Sequence, residues 1–300
     1  MSKIVQGVYA AVLTPRTEDG RLDEGAFRRW LDFLEKAGVG GVALNGATGE
    51  YPLTTEEELR RLTELASEVL GGRLPFVTGI GAPSVDRAIQ LGKIAMQAGS
   101  NALLLPMPYF YPYSQEDLMG FARGVAAALD VPILLYNLPQ FTSGLAPESS
   151  CALIRECDNI VGIKDSSGSL DTLTLLLERL PDACRIVGSD DVLAPALQRG
   201  LIDGVVSGVA CVLPELLVRM FAAGYRATDT AALASLSSQM TEVLKELGPL
   251  PVPWGLKMMA EARGLARAWF PLPLSPGRQE SRREIAEFVN RRLSTLAKTM

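Results

Sequence analysis

Lys164 ends the apolar run Ile160-Val161-Gly162-Ile163-Lys164, where a buried strand has no evident need of a charge. Alternation along a strand puts Ile160, Gly162 and Lys164 on one side. If that side is the interior of a closed sheet, Gly162 leaves space below a lysine enclosed by apolar walls. Such enclosure disfavours an ammonium and frees the amine to attack a carbonyl. From this strand alone the plainer reading is a lysine snorkelling to water from a strand end. Tyr136 shifts that balance. It ends Pro132-Ile133-Leu134-Leu135-Tyr136, the strand immediately before, so its phenol could lie beside the amine and shuttle protons. Taken alone it reads equally as a rim aromatic with a hydrogen-bonded hydroxyl.

Gly46-Ala47-Thr48-Gly49-Glu50 makes a tight turn after another strand. Its backbone N–H groups can converge on an anion such as a carboxylate, with the Thr48 hydroxyl as a further donor. A purely structural turn explains the same residues. Glu50 is expected to fix the loop rather than react. Ser189-Asp190-Asp191 opens a helix, where acidic residues favour the dipole, and the same rim position suits substrate hydroxyls. Ser166, two residues beyond Lys164, joins the substrate-binding candidates.

These residues need a scaffold that gathers strand ends. Eight short apolar runs provide one: Val8–Leu13, Gly41–Leu44, Pro75–Gly79, Ala102–Leu105, Pro132–Tyr136, Ile160–Lys164, Arg185–Gly188 and Gly204–Val206. Helical patterns separate them, at Asp23–Ala37, Thr55–Leu70, Ser84–Ala98, Ser114–Leu129, Pro147–Cys157, Ser169–Leu180 and Asp191–Arg199. Within Thr55–Leu70, Leu59, Leu62, Leu65, Ala66 and Leu70 share a face, and Thr55 with Glu58 forms a capping-box pattern. The alternation predicts an α/β fold, a (β/α)8 TIM barrel over residues 1–213. Residues 214–300 follow as a C-terminal helical extension that includes the last barrel helix and packs on the barrel. Proline-rich breaks fall at Pro249–Pro253 and Pro271–Pro276. An open dinucleotide-binding sheet is the competitor, but Gly79-Ile80-Gly81-Ala82-Pro83-Ser84 lacks the third glycine and carries a proline at the turn.

Composition narrows the chemistry. With no histidine among 300 residues, the commonest general base and zinc ligand are missing. The four cysteines, Cys151, Cys157, Cys184 and Cys211, have no metal-type spacing, and no cofactor or metal is expected. A net charge of −5 without charged blocks argues against nucleic acid or anionic membranes. No run approaches the roughly 20 apolar residues of a membrane span, and the start does not read as a secretory signal. The expected location is cytoplasmic.

Together these segments resemble the dihydrodipicolinate synthase / N-acetylneuraminate lyase family of pyruvate-dependent class I aldolases. The likeness runs from Ala11-Val12-Leu13-Thr14-Pro15 through Gly46–Glu50, Pro108–Tyr111, Tyr136-Asn137-Leu138-Pro139 and Gly162-Ile163-Lys164 to Gly188–Asp191. It implies that Lys164 forms the Schiff base and that Tyr136 relays protons. It also implies that Thr48, with the Ala47 and Thr48 amides, holds the pyruvyl carboxylate, and that Val206 brings its carbonyl near the imine. A homotetramer built as a dimer of dimers is implied as well.

Departures from that pattern limit the substrate. The family's synthases carry a second hydroxyl residue in the place of Ala47 and a relay tyrosine from a neighbouring subunit in the place of Phe110. Tyr111 is a candidate substitute for that phenol. The loop Gln140-Phe141-Thr142-Ser143-Gly144 lacks the arginine that grips aspartate semialdehyde. Asp190 and Asp191 resemble the sugar-acid branch, since carboxylates suit polyols. The expected reaction is therefore reversible cleavage of a 2-keto-3-deoxy sugar acid, or a sialic-acid-like substrate, to pyruvate and an aldehyde. A dehydratase, a 4-hydroxy-2-oxoglutarate-type aldolase, the disfavoured synthase and a weakly active 2-oxo-acid-binding regulatory relative are the alternatives.

Overall fold

In a computed structural model, which describes residues 3–225, 229–248 and 250–296, eight parallel strands hydrogen-bond in chain order and close into a barrel. The strands are β1 (Gly7–Ala11), β2 (Gly41–Leu44), β3 (Phe76–Gly79), β4 (Ala102–Pro106), β5 (Ile133–Asn137), β6 (Ile160–Asp165), β7 (Cys184–Val187) and β8 (Gly204–Ser207). Helices α1 (Glu24–Lys36), α2 (Glu56–Leu70), α3 (Val85–Gln97), α4 (Gln115–Ala128), α5 (Pro147–Glu156), α6 (Asp171–Arg179) and α7 (Leu193–Gln198) lie between them. After β8 come α8 (Pro214–Gly224), α9 (Thr230–Leu247), α10 (Trp254–Ala262) and α11 (Pro276–Leu296). The (β/α)8 expectation holds, and each expected strand or helix limit falls within two residues of the observed one. Of the expected break at Pro249–Pro253, Pro249 lies outside the described residues. Among those residues no helix is long and apolar enough to cross a membrane.

Strand alternation divides the buried side chains into two cores. Tyr9, Ala43, Leu104, Leu134, Ile186 and Val206 fill the barrel interior, while the other strand faces pack against the helices. One detail departs from simple alternation. The register shifts between Ile133↔Ile160 and Leu134↔Gly162, so Ile160 joins the outer core while Gly162 and Lys164 turn inward. A bulge adds one residue and flips the face that follows. Ile160 is thus not on the lysine's side. Gly162 also serves a purpose other than space beneath the lysine. A Cβ there would lie 2.1 Å from the Cys184 carbonyl oxygen, so glycine is needed for β7 to approach β6.

Capping follows local chemistry, with one correction. Thr55 Oγ1 accepts from the Glu58 amide, but the Glu58 carboxylate turns to Arg16 at 2.6 and 3.0 Å instead of closing the box. An arginine fork outcompetes a backbone amide for a carboxylate. The reciprocal box forms instead at Ser114 and Asp117, at the start of α4.

Candidate active site

The carboxyl ends of the strands open into a cavity of ≈ 360 Å³. Register places Tyr136 and Lys164 side by side on β5 and β6. The next pair, Asn137 and Asp165, locks that register from the outer face. Asn137 Nδ2 donates to Asp165 Oδ2 at 3.1 Å, Asn137 Oδ1 accepts from the Leu145 amide, and Asp165 Oδ1 accepts from the Ser167 amide. Held this way, Lys164 Nζ lies 3.9 Å from the centroid of the Tyr136 ring. The lysine is 4% and the tyrosine 3% exposed, and Lys164 has no ion-pair partner within 4.0 Å among the described residues. The amine therefore faces a cavity, with a phenol against it, and can attack a carbonyl placed above it.

Gly188, directly after β7, makes room for this lysine. A Cβ at Gly188 would sit 2.2 Å from Ser166 Oγ, 2.7 Å from Lys164 Cε and 3.1 Å from Lys164 Cγ. Gly188→Ala is expected to push the amine aside and slow Schiff-base formation by about 100-fold, the usual cost of a misplacement near 1 Å. Borohydride-trapping rates measure this directly, and a rate unchanged from the parent would refute the steric account.

The turn after β2 stands across the cavity, with Ala47 and Thr48 in its wall. Two non-glycine residues in left-handed conformation flank it, Asn45 at φ 51° and Glu50 at φ 57°. Asn45 Nδ2 donates to the Gly79 carbonyl, Thr14 Oγ1 donates to the Gly49 carbonyl, and the Glu50 amide donates back to the Ala47 carbonyl. Among the described residues the Ala47 and Thr48 amides donate no hydrogen bond. Strained backbone held open with unused N–H groups is suited to an anion. Glu50 is buried and pairs with Lys257 of α10 at 2.5 Å, and Lys257 Nζ also donates to the Trp269 carbonyl at 2.9 Å. Burial moves the Lys257 amine down, with Glu50 opposing that shift. The turn is therefore tied to the C-terminal helices by a buried ion pair.

The other candidates divide. Val206, Ser166 and Asp190 line the cavity, whereas Asp191 is exposed and not part of its wall. Phe110 and Tyr111, 84% and 62% exposed, stack edge to face outside the cavity. Asp190 does not act as a helix cap through its side chain. Burial pushes its carboxyl up to about 6, against the Ser207 hydroxyl, the Val209 amide and the charge of Lys164, which all pull it down. The folded state thus holds the Asp190 proton more tightly than the unfolded chain, whose ordinary value is 3.8. The stability cost is absent below that value, grows as pH rises and is complete above about 6. Asp190→Asn should raise Tm at neutral pH, by an amount that shrinks to nothing as the pH falls below 3.8. Thermal unfolding across that range checks it; a gain that persists in acid would refute burial as the cause.

Sequence reasoning missed the outer wall. Leu244 and Leu247 from α9, the segment Leu250–Pro253 and Leu256 from α10 close the cavity, joined by Gln140 and Phe141 from the β5 loop. Gln140 Nε2 donates to the Ser166 carbonyl. Tyr51 was also missed; its phenol is pushed up chiefly by burial, with Tyr109 and Tyr136 close enough to add to the shift. Lys257 had a detectable signal, a lone charge in Leu256-Lys257-Met258-Met259, of the same kind that marks Lys164.

Comparison with known proteins identifies the family. Residues 4–292 match the profile of the Dihydrodipicolinate synthetase family. A 4-hydroxy-tetrahydrodipicolinate synthase of Salinibacter ruber is 35% identical over 278 residues, covering 91% of this chain and 90% of the relative. The crystal structure of dihydrodipicolinate synthase from Aquifex aeolicus superposes with a TM-score of 0.89 at 26% identity, covering 96% of this chain and 98% of that one. YagE, a prophage protein of the dihydrodipicolinic acid synthase family from E. coli K12 solved in complex with pyruvate, gives 0.88 at 26% identity, covering 95% and 98%. A profile spanning nearly the whole chain, and a relative above 30% identity along its length, place it beyond fold likeness alone: the chain belongs to the dihydrodipicolinate synthetase family and is an enzyme of the class I aldolase type, a lyase.

Proposed function

We propose that the chain uses Lys164 to form a Schiff base with pyruvate, and that it reversibly cleaves a 4-hydroxy-2-oxo acid to pyruvate and an aldehyde. The observation that carries this reading is the pairing of a nearly buried lysine and tyrosine, 3.9 Å from amine to ring centroid, facing a turn with unused amides. The substrate carboxylate sits on the Ala47 and Thr48 amides and the Thr48 hydroxyl, which aims the 2-oxo carbon at Nζ. Nζ adds to that carbon, the oxygen leaves as water, and an iminium remains. In cleavage the C4 hydroxyl gives up its proton, the C3–C4 bond breaks, and its electron pair moves into the iminium to give an enamine and a free aldehyde. The enamine carbon then takes a proton, and water hydrolyses the iminium to pyruvate and the amine. Tyr136 is the group beside Nζ suited to carrying protons on and off the adduct. Val206 lies in the same wall, and its backbone carbonyl is the proposed acceptor for the iminium N–H.

Support for a sugar-acid or sialic-acid-like substrate rests on Asp190 in the cavity wall, without a second carboxylate from Asp191. The reaction named for the relatives has a specific observation against it. No arginine lines the cavity, and Lys164 is its one cation among the described residues, so a second carboxylate has no partner there. A homotetramer built as a dimer of dimers is part of the proposal, with the exposed Phe110 and Tyr111 as the surface a second copy would cover. Incubation with pyruvate and borohydride, followed by peptide mapping, tests the core of the reading. A reduced pyruvyl adduct on the Lys164 peptide is the expected result; its absence defeats the aldolase mechanism.

A further inference from the structure

The cavity is lined by a few polar side chains and a hydrocarbon surface. Two buried polar side-chain atoms on its wall lack a hydrogen-bond partner, Ser166 Oγ and Asp190 Oδ1. The rest of Asp190 is engaged by the Ser207 hydroxyl and the Val209 amide and attracted to Lys164. Gln140 spends its carboxamide N–H on the Ser166 carbonyl. Those two atoms can take the one oxygen an aldehyde must bring, at C4 of the aldol product, and Ser189 and Gln140 are the other polar side chains on this part of the wall. A chain of hydroxyls would need a partner for each group once buried.

The outer wall is largely hydrocarbon. Leu244, Leu247 and Leu250 come from α9 and the segment after it, and Phe141 and Val252 are exposed apolar side chains at the mouth. Half-exposed apolar groups at a cavity mouth gain by being covered.

We propose that the aldehyde partner carries an apolar tail, aliphatic or aromatic, which the leucines and Phe141 bury, in place of a polyol or a second carboxylate. This rests on the Schiff-base reading above. The bond chemistry is unchanged: the enamine carbon attacks the aldehyde carbon, whose oxygen takes a proton, and water releases the hydroxy-oxo acid from Lys164.

Two measurements on the full-length enzyme separate the proposals. Borohydride trapping with pyruvate alone reports the Schiff base. Condensation kinetics with propanal, butanal, pentanal, hexanal, benzaldehyde, glyceraldehyde and aspartate semialdehyde report the tail. The expected result is a rise in kcat/KM of about fourfold per added methylene until the cavity is filled, with butanal at least about tenfold above glyceraldehyde. Phe141→Ser should flatten the methylene increment in kcat/KM. An adduct accompanied by higher kcat/KM for glyceraldehyde or aspartate semialdehyde, or by no turnover of any aldehyde, overturns the apolar tail and leaves the Schiff base standing. No adduct at all overturns both.

Discussion

Replacing Lys164 with alanine is expected to abolish borohydride trapping and to lower turnover by on the order of 10⁴-fold or more, the scale on which enzymes lose rate when a covalent nucleophile is removed. The fold should survive. Lys164 makes no ion pair within 4.0 Å among the described residues, so its loss strands no partner charge of that kind. Removing a nearly buried amine relieves a desolvation cost, the lost attraction to Asp190 opposes that gain, and Tm should change little. One further effect has a defined sign. Lys164 helps hold the Asp190 carboxyl down, so in the variant that carboxyl should titrate above its present value of about 6. Carbonyl chemical shifts of Asp190 followed against pH measure it. Retention of trapping in Lys164→Ala would move the nucleophile elsewhere and dismantle the mechanism.

Lys257→Met should produce the largest loss of stability, about 3–5 kcal/mol, because it leaves the Glu50 carboxylate buried without its partner. Glu50 and Lys257 are both nearly inaccessible, and the pair joins the turn after β2 to α10. The double variant Glu50→Gln with Lys257→Met should recover much of that loss, since two neutral groups carry a smaller desolvation cost. Activity distinguishes positioning from bulk stability. With the turn released, KM for pyruvate should rise in the double variant even where the fold is restored. Chemical denaturation and steady-state kinetics supply both readings; a single-variant loss below about 1 kcal/mol, typical of an exposed pair, would show the bridge to be incidental.

How much of this was legible in the chain depends on whether a residue's role is set locally. Lys164 and Tyr136 could be read because each is the last residue of an apolar run and consecutive barrel strands are neighbours. Helix starts at Asp23, Thr55, Ser84 and Ser114 could be read because an N-cap acts within one turn. The bulge after Ile160 could not, since the extra residue is defined only against β5. Glu58 had two possible partners, and the choice of Arg16 required knowing that a residue 42 positions earlier folds back onto it. Gly162 looked like space and Gly188 only like a strand end, but what each avoids, Cys184 in one case and Lys164 with Ser166 in the other, is a tertiary fact. The apolar outer wall was invisible for the same reason. Leu244 and Leu247 read as ordinary core positions of a helix until the helix is seen to end over the cavity.

The buried bridge between Glu50 and Lys257 also sets an order of events during translation. Residues for the carboxylate turn, the phenol and the amine leave the ribosome well before residues 244–257. Until that later stretch arrives, the nascent barrel holds a lysine without a closed chamber and a glutamate without its counter-charge. Small molecules that meet the unfinished chain therefore find the Lys164 amine with no enclosed space to hold them. The chamber is complete only once residues 244–257 have been made, because they supply both its outer wall and the counter-charge of Glu50.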